Sequence, residues 1–488
     1  MFSRRGFLQA ALSGLLVQGL GPALAEAPER SPRPVPRGGH PKVATGSVEA
    51  LIAAAKLTGV VGFAVLDVAN GSVLETHNPD QQVPPASVTK AVTALYALER
   101  LGPGFRFRTR VLATGPVQAG IVQGDLVLAG SGDPTLQTDQ LGDLAAALAA
   151  RGIKGVTGRY LVWDGALPSV PHIAGDQPVQ VGYNPGLGGL NLNFNRVYFE
   201  WKRQGQGWGV TMDARGERFV PMVSMARMKI VGRTAPLFTY ATQGSAEDWT
   251  VAEGGLGKGG GRWLPVRLPT TYAAEVFSTL TKAQGLALPE AQTVLTEPVG
   301  QELAAVKSEP LTDVLHDMLK FSTNVTAECV GLRASGAGSL AASGAAMTEW
   351  VRTRFGVANL HVDHSGLGGD SRVTAGDMAK ILLGAKGTGL QDILRNVGMK
   401  DAKGKAIEGH PVKVVAKSGT LNFVSGLAGY ITPPQGRELA FAIFAADVPR
   451  RESLAEADRE LPPGGEAWTK RARMLQAQLI SRWAVTLA

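Results

Sequence analysis

A serine and a lysine three residues apart, Ser87-Val88-Thr89-Lys90, form a nucleophile–base pair if they share one face of a helix. The flanking sequence predicts that helix. Pro84-Pro85 ends an extended segment, because proline lacks a backbone donor and disfavours the helical basin in the residue before it. Ala91 through Arg100 then runs without glycine or proline, rich in Ala and Leu, until Gly102 supplies a stop. Such an apolar helix is expected to be buried, and burial lowers an ammonium pKa far enough for Lys90 to act as a base near neutral pH. A serine at a helix start is also a common cap, so the pair needs partners further along. The chain holds no second Ser-x-x-Lys.

Two later segments supply such partners. Ser322-Thr323-Asn324 sets a hydroxyl and an amide two residues apart. The Ser322 hydroxyl can relay a proton between Lys90 and a leaving group, and the Asn324 amide can hold a substrate carbonyl. Lys417-Ser418-Gly419-Thr420 continues from an apolar strand predicted at 412–416. Gly419 lets a substrate backbone lie against the strand edge, while Lys417 and the hydroxyls bind an anionic group. Each motif alone is weak. In this order they are a joint signal for acyl transfer through a serine ester.

The three motifs resemble those of the class C penicillin-binding proteins, the D-alanyl-D-alanine carboxypeptidase/endopeptidase group. Gly130-Ser131-Gly132-Asp133-Pro134-Thr135-Leu136, Leu190-Asn191-Leu192-Asn193-Phe194-Asn195, Ser365-Gly366-Leu367 and Gly426-Leu427-Ala428-Gly429-Tyr430 add to the resemblance, which covers residues 42–485. The long interval between Ser87 and Ser322 is similar to that group's large insertion. Three positions depart from it: Ser418 stands where Thr is usual, Thr323 where Asn is frequent, and His364 where Gly is frequent. The resemblance implies an α/β (α+β) fold, a penicillin-binding/serine β-lactamase-like domain with an antiparallel sheet packed with helices.

It also implies a serine-type hydrolase that cleaves D-Ala-D-Ala ends or D-Ala–diaminopimelate cross-links in peptidoglycan stem peptides, with β-lactams as covalent inhibitors. Ser87 would be the nucleophile, Lys90 its base and Ser322 the proton relay. Asn324 would position the substrate amide, and Lys417, Ser418 and Thr420 would bind the carboxylate beside Gly419. The backbone N–H groups of Ser87 and Thr420 would form the oxyanion hole. No metal or organic cofactor is needed. Two other readings keep the same serine: a wall-binding or penicillin-sensing protein with slow turnover, and a β-lactamase with fast deacylation.

Other motifs point elsewhere and are weaker. His361-x-Asp363-His364 has spacing compatible with zinc, but no third histidine lies near in sequence. Gly255, Gly257 and Gly260 match G-x-G-x-x-G, yet no apolar strand is read before them and no helix after. The G-x-S-x-G elbow is absent. Cys329 is the only cysteine, which excludes an intramolecular disulfide and reads as a small core residue.

Composition sets the compartment and class. With 488 residues, 44% hydrophobic and 18% charged, the chain is long enough for two or three folded domains. Ser3-Arg4-Arg5-Gly6-Phe7-Leu8, a short apolar run and Ala23-Leu24-Ala25 resemble a twin-arginine signal cleaved near Ala25, which implies export to a periplasm. Losing Arg4 and Arg5 with no acid lowers the formal charge from +8 to +6. No basic stripe is formed, so nucleic acid is not an expected partner, and no run in the body is long enough for a membrane anchor once the signal is removed.

The elements that must position the motifs follow from patterning. A helix is predicted at 47–57, a strand at 60–68, an Asn70-Gly71 turn and a return strand at 72–77, leading into the Ser87 helix. Strands at 105–113, 124–129, 158–163 and 196–201 surround a helix at 140–151. Residues 203–262 show no clear period. Helices are predicted at 271–284, 311–332, 341–355, 375–383 and 467–485, with strands near 412–416, 426–431 and 438–446. The expected layout is a signal at 1–25, a Pro/Arg-rich tether at 26–41, a discontinuous catalytic domain at 42–104 and 268–488, and an insertion at 105–267.

Overall fold

Strand Leu439–Ala446 is apolar at every position and buried along its whole length, as a central strand covered on both faces must be. It lies within a six-stranded sheet whose order is Arg395–Asn396, Lys413–Leu421, Val424–Thr432, Leu439–Ala446, Val60–Asp67, Val73–His77. All its pairings are antiparallel. The computed structural model describes residues 46–401 and 405–488. The predicted signal and tether lie outside the described residues.

Alternation along the sheet divides two cores. Phe63, Val65, Phe441 and Ile443 face the helices Val48–Ala55 and Gly465–Thr486, where Trp468, Leu479 and Trp483 are buried. Ala64, Leu66, Ala442 and Phe444 face the opposite layer, built from Thr89–Leu101, Leu311–Phe321 and Ala375–Gly384. The motif-bearing segments sit in or against this second layer.

The intervening chain builds its own core. A five-stranded sheet runs Ala291–Val294, Tyr160–Trp163, Leu126–Ala129, Arg108–Ala113, Gln301–Lys307. Helices Thr138–Ala150 and Pro269–Ala283 pack on each other, and their apolar faces share one core with that sheet. Three three-stranded sheets complete the intervening part among the described residues. The return to the serine-helix core expected at 268 therefore differs from the pairing seen. Gln301–Lys307 is hydrogen-bonded to Arg108–Ala113, and the chain rejoins at Leu311. The described residues of both parts fall in one compact unit.

Two further expectations changed. The single helix predicted over 311–332 is two, Leu311–Phe321 and Asn324–Ser335, because Ser322 is left-handed at φ +58° and ends the first. The stretch without period holds five strands from Gly207 to Pro265. Several are buried at one end only, as in Phe238–Gln243 and Gly259–Pro265, so no alternation of apolar and polar residues is written into them. The glycine motif is explained there too. A Cβ on Gly260 would sit 2.7 Å from the Trp201 ring and one on Gly261 2.0 Å from the Tyr198 hydroxyl. These glycines make room for aromatic side chains.

Gly331 is a comparable close approach within Asn324–Ser335. A Cβ there would fall 2.1–2.3 Å from three ring atoms of the buried His364. Gly331→Ala is expected to lower the urea midpoint by the equivalent of roughly 1–3 kcal/mol, overcoming alanine's better helix propensity. Gly338→Ala, where a Cβ meets nothing within 4 Å, serves as the control and should change stability little.

Candidate active site

Pro84-Pro85 leads into a single tight turn, Ala86–Val88, before the α-helix Thr89–Leu101 begins. Ser87 thus sits on a turn just ahead of the helix, with Ala86 at φ +49°, a conformation costly for a residue with a Cβ. Two glycines hold that turn. The Cβ that Gly366 lacks would lie 1.9 Å from the Ala86 carbonyl oxygen, and that of Gly419 would lie 2.9 Å from the Ser87 nitrogen. The strand carrying Lys417 therefore passes directly against the serine turn.

Lys90 is wholly buried one helical turn on. Its Nζ is 2.9 Å from Ser87 Oγ, 2.7 Å from Asn324 Oδ1 and 2.7 Å from the Ser365 carbonyl oxygen. The last two can only accept, so they take two N–H bonds of the amine. In the neutral form the lone pair is left facing Ser87 Oγ, within reach of the hydroxyl proton. Burial lowers the Lys90 pKa to about 7, against the opposing pull of Glu328 and Asp363.

Those two carboxyls form a buried pair beneath the lysine. Glu328 accepts from the backbone N–H of His364 and Ser365 at 3.1 and 2.8 Å, and Asp363 from those of Gly366 and Gly368. Burial raises both carboxyl pKa values, that of Glu328 to about 8, with Asp363 adding to the rise. The pair holds a proton near neutral pH, which limits how far it stabilises charged Lys90.

Lys417, 2% exposed, donates to Ser322 Oγ at 3.1 Å and to the Ser418 carbonyl oxygen at 2.6 Å. Burial, with Lys90 and Arg395 nearby, pushes its pKa well below the usual lysine range. The left-handed Ser322 turns its hydroxyl toward this lysine. Asn324 opens the next helix and donates through Nδ2 to the Tyr183 carbonyl oxygen at 2.9 Å, so the intervening chain reaches the site. Ser87, Ser322, Asn324, Tyr183 and Thr420 line one cleft of about 430 Å³.

Of the residues singled out from sequence, Ser87, Lys90, Asn324, Ser322 and Lys417 fall into two hydrogen-bonded groups on this cleft. Ser322 is held by Lys417, and no hydrogen bond joins it to Lys90 among the described residues. Gly419 packs on the serine turn. Ser418 lines the adjoining pocket, while Thr420 lines both. Sequence reasoning missed Glu328, although an acid four residues after Asn324 on an otherwise apolar helix face was a usable signal. Asp363 was weighed only as a metal ligand.

The histidines are occupied differently. His364 is buried, its pKa lowered to about 3 by burial and by His361, and its Nε2 lies 2.6 Å from Ser343 Oγ. His361 is also buried and its pKa is lowered to about 4 by burial; neither ring nitrogen has a hydrogen-bond partner. Among the described residues no three or more His, Cys, Asp or Glu side chains are grouped to hold a metal ion. Cys329 is buried, as expected of a core residue.

A mixed α+β fold with this serine turn, lysine and antiparallel strand defines the penicillin-binding type of serine hydrolase. The structure of penicillin binding protein 4 from Haemophilus influenzae superposes with a TM-score of 0.73 at 22% identity, covering 90% of this chain and 99% of that one. The D-alanyl-D-alanine carboxypeptidase of Actinomadura sp. strain R39 is 29% identical over 81% of this chain and 79% of its own length. D-alanyl-D-alanine carboxypeptidase DacB of H. influenzae is 26% identical over 79% and 85%. The chain belongs to the D-Ala-D-Ala carboxypeptidase 3 (S13) family, whose model matches residues 44–460. It is a serine DD-carboxypeptidase of the class C penicillin-binding type.

The position of the Lys90 pKa generates a pH profile. A lysine depressed to about 7 is a base above that pH and is charged below it. The second-order rate of acylation by a fluorescent penicillin should therefore rise through about pH 7 and level off above, and a rise only near pH 10 would contradict this. Lys90→Arg keeps charge but cannot release a proton, and should slow acylation roughly 10²–10⁴-fold.

Proposed function

We propose that Ser87 carries the acyl group and that Lys90 is its base in the cleavage of peptidoglycan stem peptides at D-Ala. The observation that carries this is the 2.9 Å contact between Lys90 Nζ and Ser87 Oγ inside a site that favours the neutral amine. Ser87 Oγ attacks the carbonyl of the penultimate residue while its proton passes to Lys90. The C–N bond then breaks, and the leaving amine takes up the proton that Lys90 received, passed on through Ser322 Oγ, which Lys417 holds in place, so that Lys90 is neutral again for the next step. Water next attacks the ester, Lys90 takes its proton, and the Ser87 hydroxyl is restored.

Binding follows the same geometry. Asn324 Nδ2 is directed across the cleft and can hold the acyl-side amide in place of the Tyr183 carbonyl. Lys417 and the hydroxyls of Ser418 and Thr420 receive the leaving residue's carboxylate, and the N–H groups of Ser87 and Thr420 receive the oxyanion. Because Lys417 is buried beside other cations, an arriving carboxylate supplies the negative charge that its protonated form lacks.

The substrate lies in the wall, so the reading includes export. No helix among the described residues is long and apolar enough to cross a membrane. The twin-arginine segment would be removed near Ala25 and the enzyme would act in a periplasm, which N-terminal sequencing of the secreted protein tests directly.

Ser87→Ala is expected to abolish both D-Ala release from a diacetyl-Lys-D-Ala-D-Ala peptide and covalent labelling by fluorescent penicillin. Peptide mapping of the labelled wild type should place the adduct on Ser87. An adduct on any other residue would overturn the assignment.

A further inference from the structure

Between the bridged pair Leu360 and Arg372, residues 361–371 form neither helix nor strand, yet this loop supplies a carbonyl that holds Lys90. With no ladder or helix to fix it, the loop is placed by its anchors. Two of its carbonyls are taken by one face of the helix Thr89–Leu101: Lys90 Nζ donates to Ser365 and Thr93 Oγ1 to His364, each at 2.7 Å. The N–H groups of the same two residues go to Glu328 on the helix Asn324–Ser335.

The His364 ring is the anchor that enters the core, wholly buried where three helices meet. Gly331 of Asn324–Ser335 leaves room for it, since a Cβ there would fall 2.1–2.3 Å from three ring atoms. Helix Leu340–Phe355 brings Ser343 Oγ to 2.6 Å from Nε2 and Met347 Sδ to 3.3 Å from Nδ1. Ser343 is itself held by Ser335 Oγ at 2.7 Å. Tyr96, on the lysine helix, stacks on the ring with centroids 6.4 Å apart and planes inclined by 6°. Asn324, Glu328 and Gly331 share one face of their helix, and in succession they meet Lys90, the loop backbone and the ring. Burial, with His361 nearby, lowers the ring's pKa to about 3, so it is uncharged and acts on Lys90 through position alone.

We propose that His364 is a positioning residue for acyl transfer: its ring, seated on Gly331 and tied to Ser343, fixes the Ser365 carbonyl against Lys90 and so aims the amine at Ser87. The inference rests on the reading of Lys90 as base. The position is one at which the chain departs from the group it resembles, where Gly is frequent, and a glycine there has no ring to seat. Moving the Ser365 carbonyl frees one N–H of the amine and lets it turn away from Ser87. Such a displacement slows proton transfer without touching the groups that bind substrate.

The test is saturable acylation by a fluorescent penicillin, which separates the limiting rate from the half-saturating concentration. Gly331→Ala, which pushes the ring, should lower the limiting rate roughly tenfold and change half-saturation by less than about twofold, at a temperature where the variant is folded by its urea transition. His364→Ala should lose at least as much, and His364→Gln, which keeps a polar nitrogen for Ser343, should lose less. The double variant Gly331→Ala, His364→Ala should be no slower than His364→Ala alone, because no ring remains to be pushed. Should His364→Ala fail to fold, Ser343→Ala decides: removing the hydroxyl alone should slow the limiting rate by about threefold. A wild-type limiting rate in folded Gly331→Ala or Ser343→Ala, or losses that multiply in the double variant, would show that the ring only fills the core, and would overturn the proposal while leaving the serine mechanism standing. Lys90→Arg acylating at the wild-type rate would instead remove Lys90 as base, and this role of His364 with it.

Discussion

The cost of burying the Lys90 amine is the constraint on which the rest of the site depends. A charged ammonium without water is held only by strong compensation, and a neutral amine still needs acceptors for its N–H bonds. Asn324 Oδ1 and the Ser365 carbonyl provide those acceptors, and the Glu328–Asp363 pair below provides only partial charge. The balance leaves the lysine near its point of titration, with its remaining direction toward Ser87. Much of the surrounding fold serves that placement. Ala86 is strained, Gly366 and Gly419 admit the serine turn at close range, and Ser322 breaks a helix so that Asn324 can begin the next one.

The catalytic sheet and the intervening layer contribute unequally. The sheet fixes the Lys417 strand by pairing it with Val424–Thr432, and its opposite face is sealed by the C-terminal helix. Among the described residues, the intervening chain makes one hydrogen bond to the side chains of Ser87, Lys90, Ser322, Asn324 and Lys417, the one from Asn324 Nδ2 to the Tyr183 carbonyl. Nearby, Arg451 is paired with Asp176 at 3.1 Å, so one wall of the cleft joins the two layers through an ion pair. The site is thus assembled mainly by one core and bounded by both.

How much of this was legible in the sequence follows from where each signal resides. Ser87, Lys90, Ser322, Asn324 and Lys417 could be singled out because residue type and short spacing are written in the chain, and the structure brings them together. The strands Val60–Asp67, Val73–His77 and Leu439–Ala446 were found because their apolar runs are bounded by turn residues. Glu328 and Asp363 were not recognised for what they are, since burial and mutual proximity exist only after folding. The boundary near 268 missed for a similar reason: Pro269–Ala283 reads as an amphipathic helix of either core, and only the pairing of Gln301–Lys307 with Arg108–Ala113 decides between them. The break at Ser322 was hidden because a left-handed serine has no composition signature.

The central claim is that Lys90 is neutral near physiological pH while it faces Ser87. It is tested most directly by following the ¹⁵Nζ resonance of Lys90 through a pH titration of lysine-labelled protein, assigned with Lys90→Arg. The account predicts a titration centred near pH 7, well below that of the surface lysines. A Lys90 amine that stays protonated up to about pH 10, the ordinary range for lysine, would contradict it.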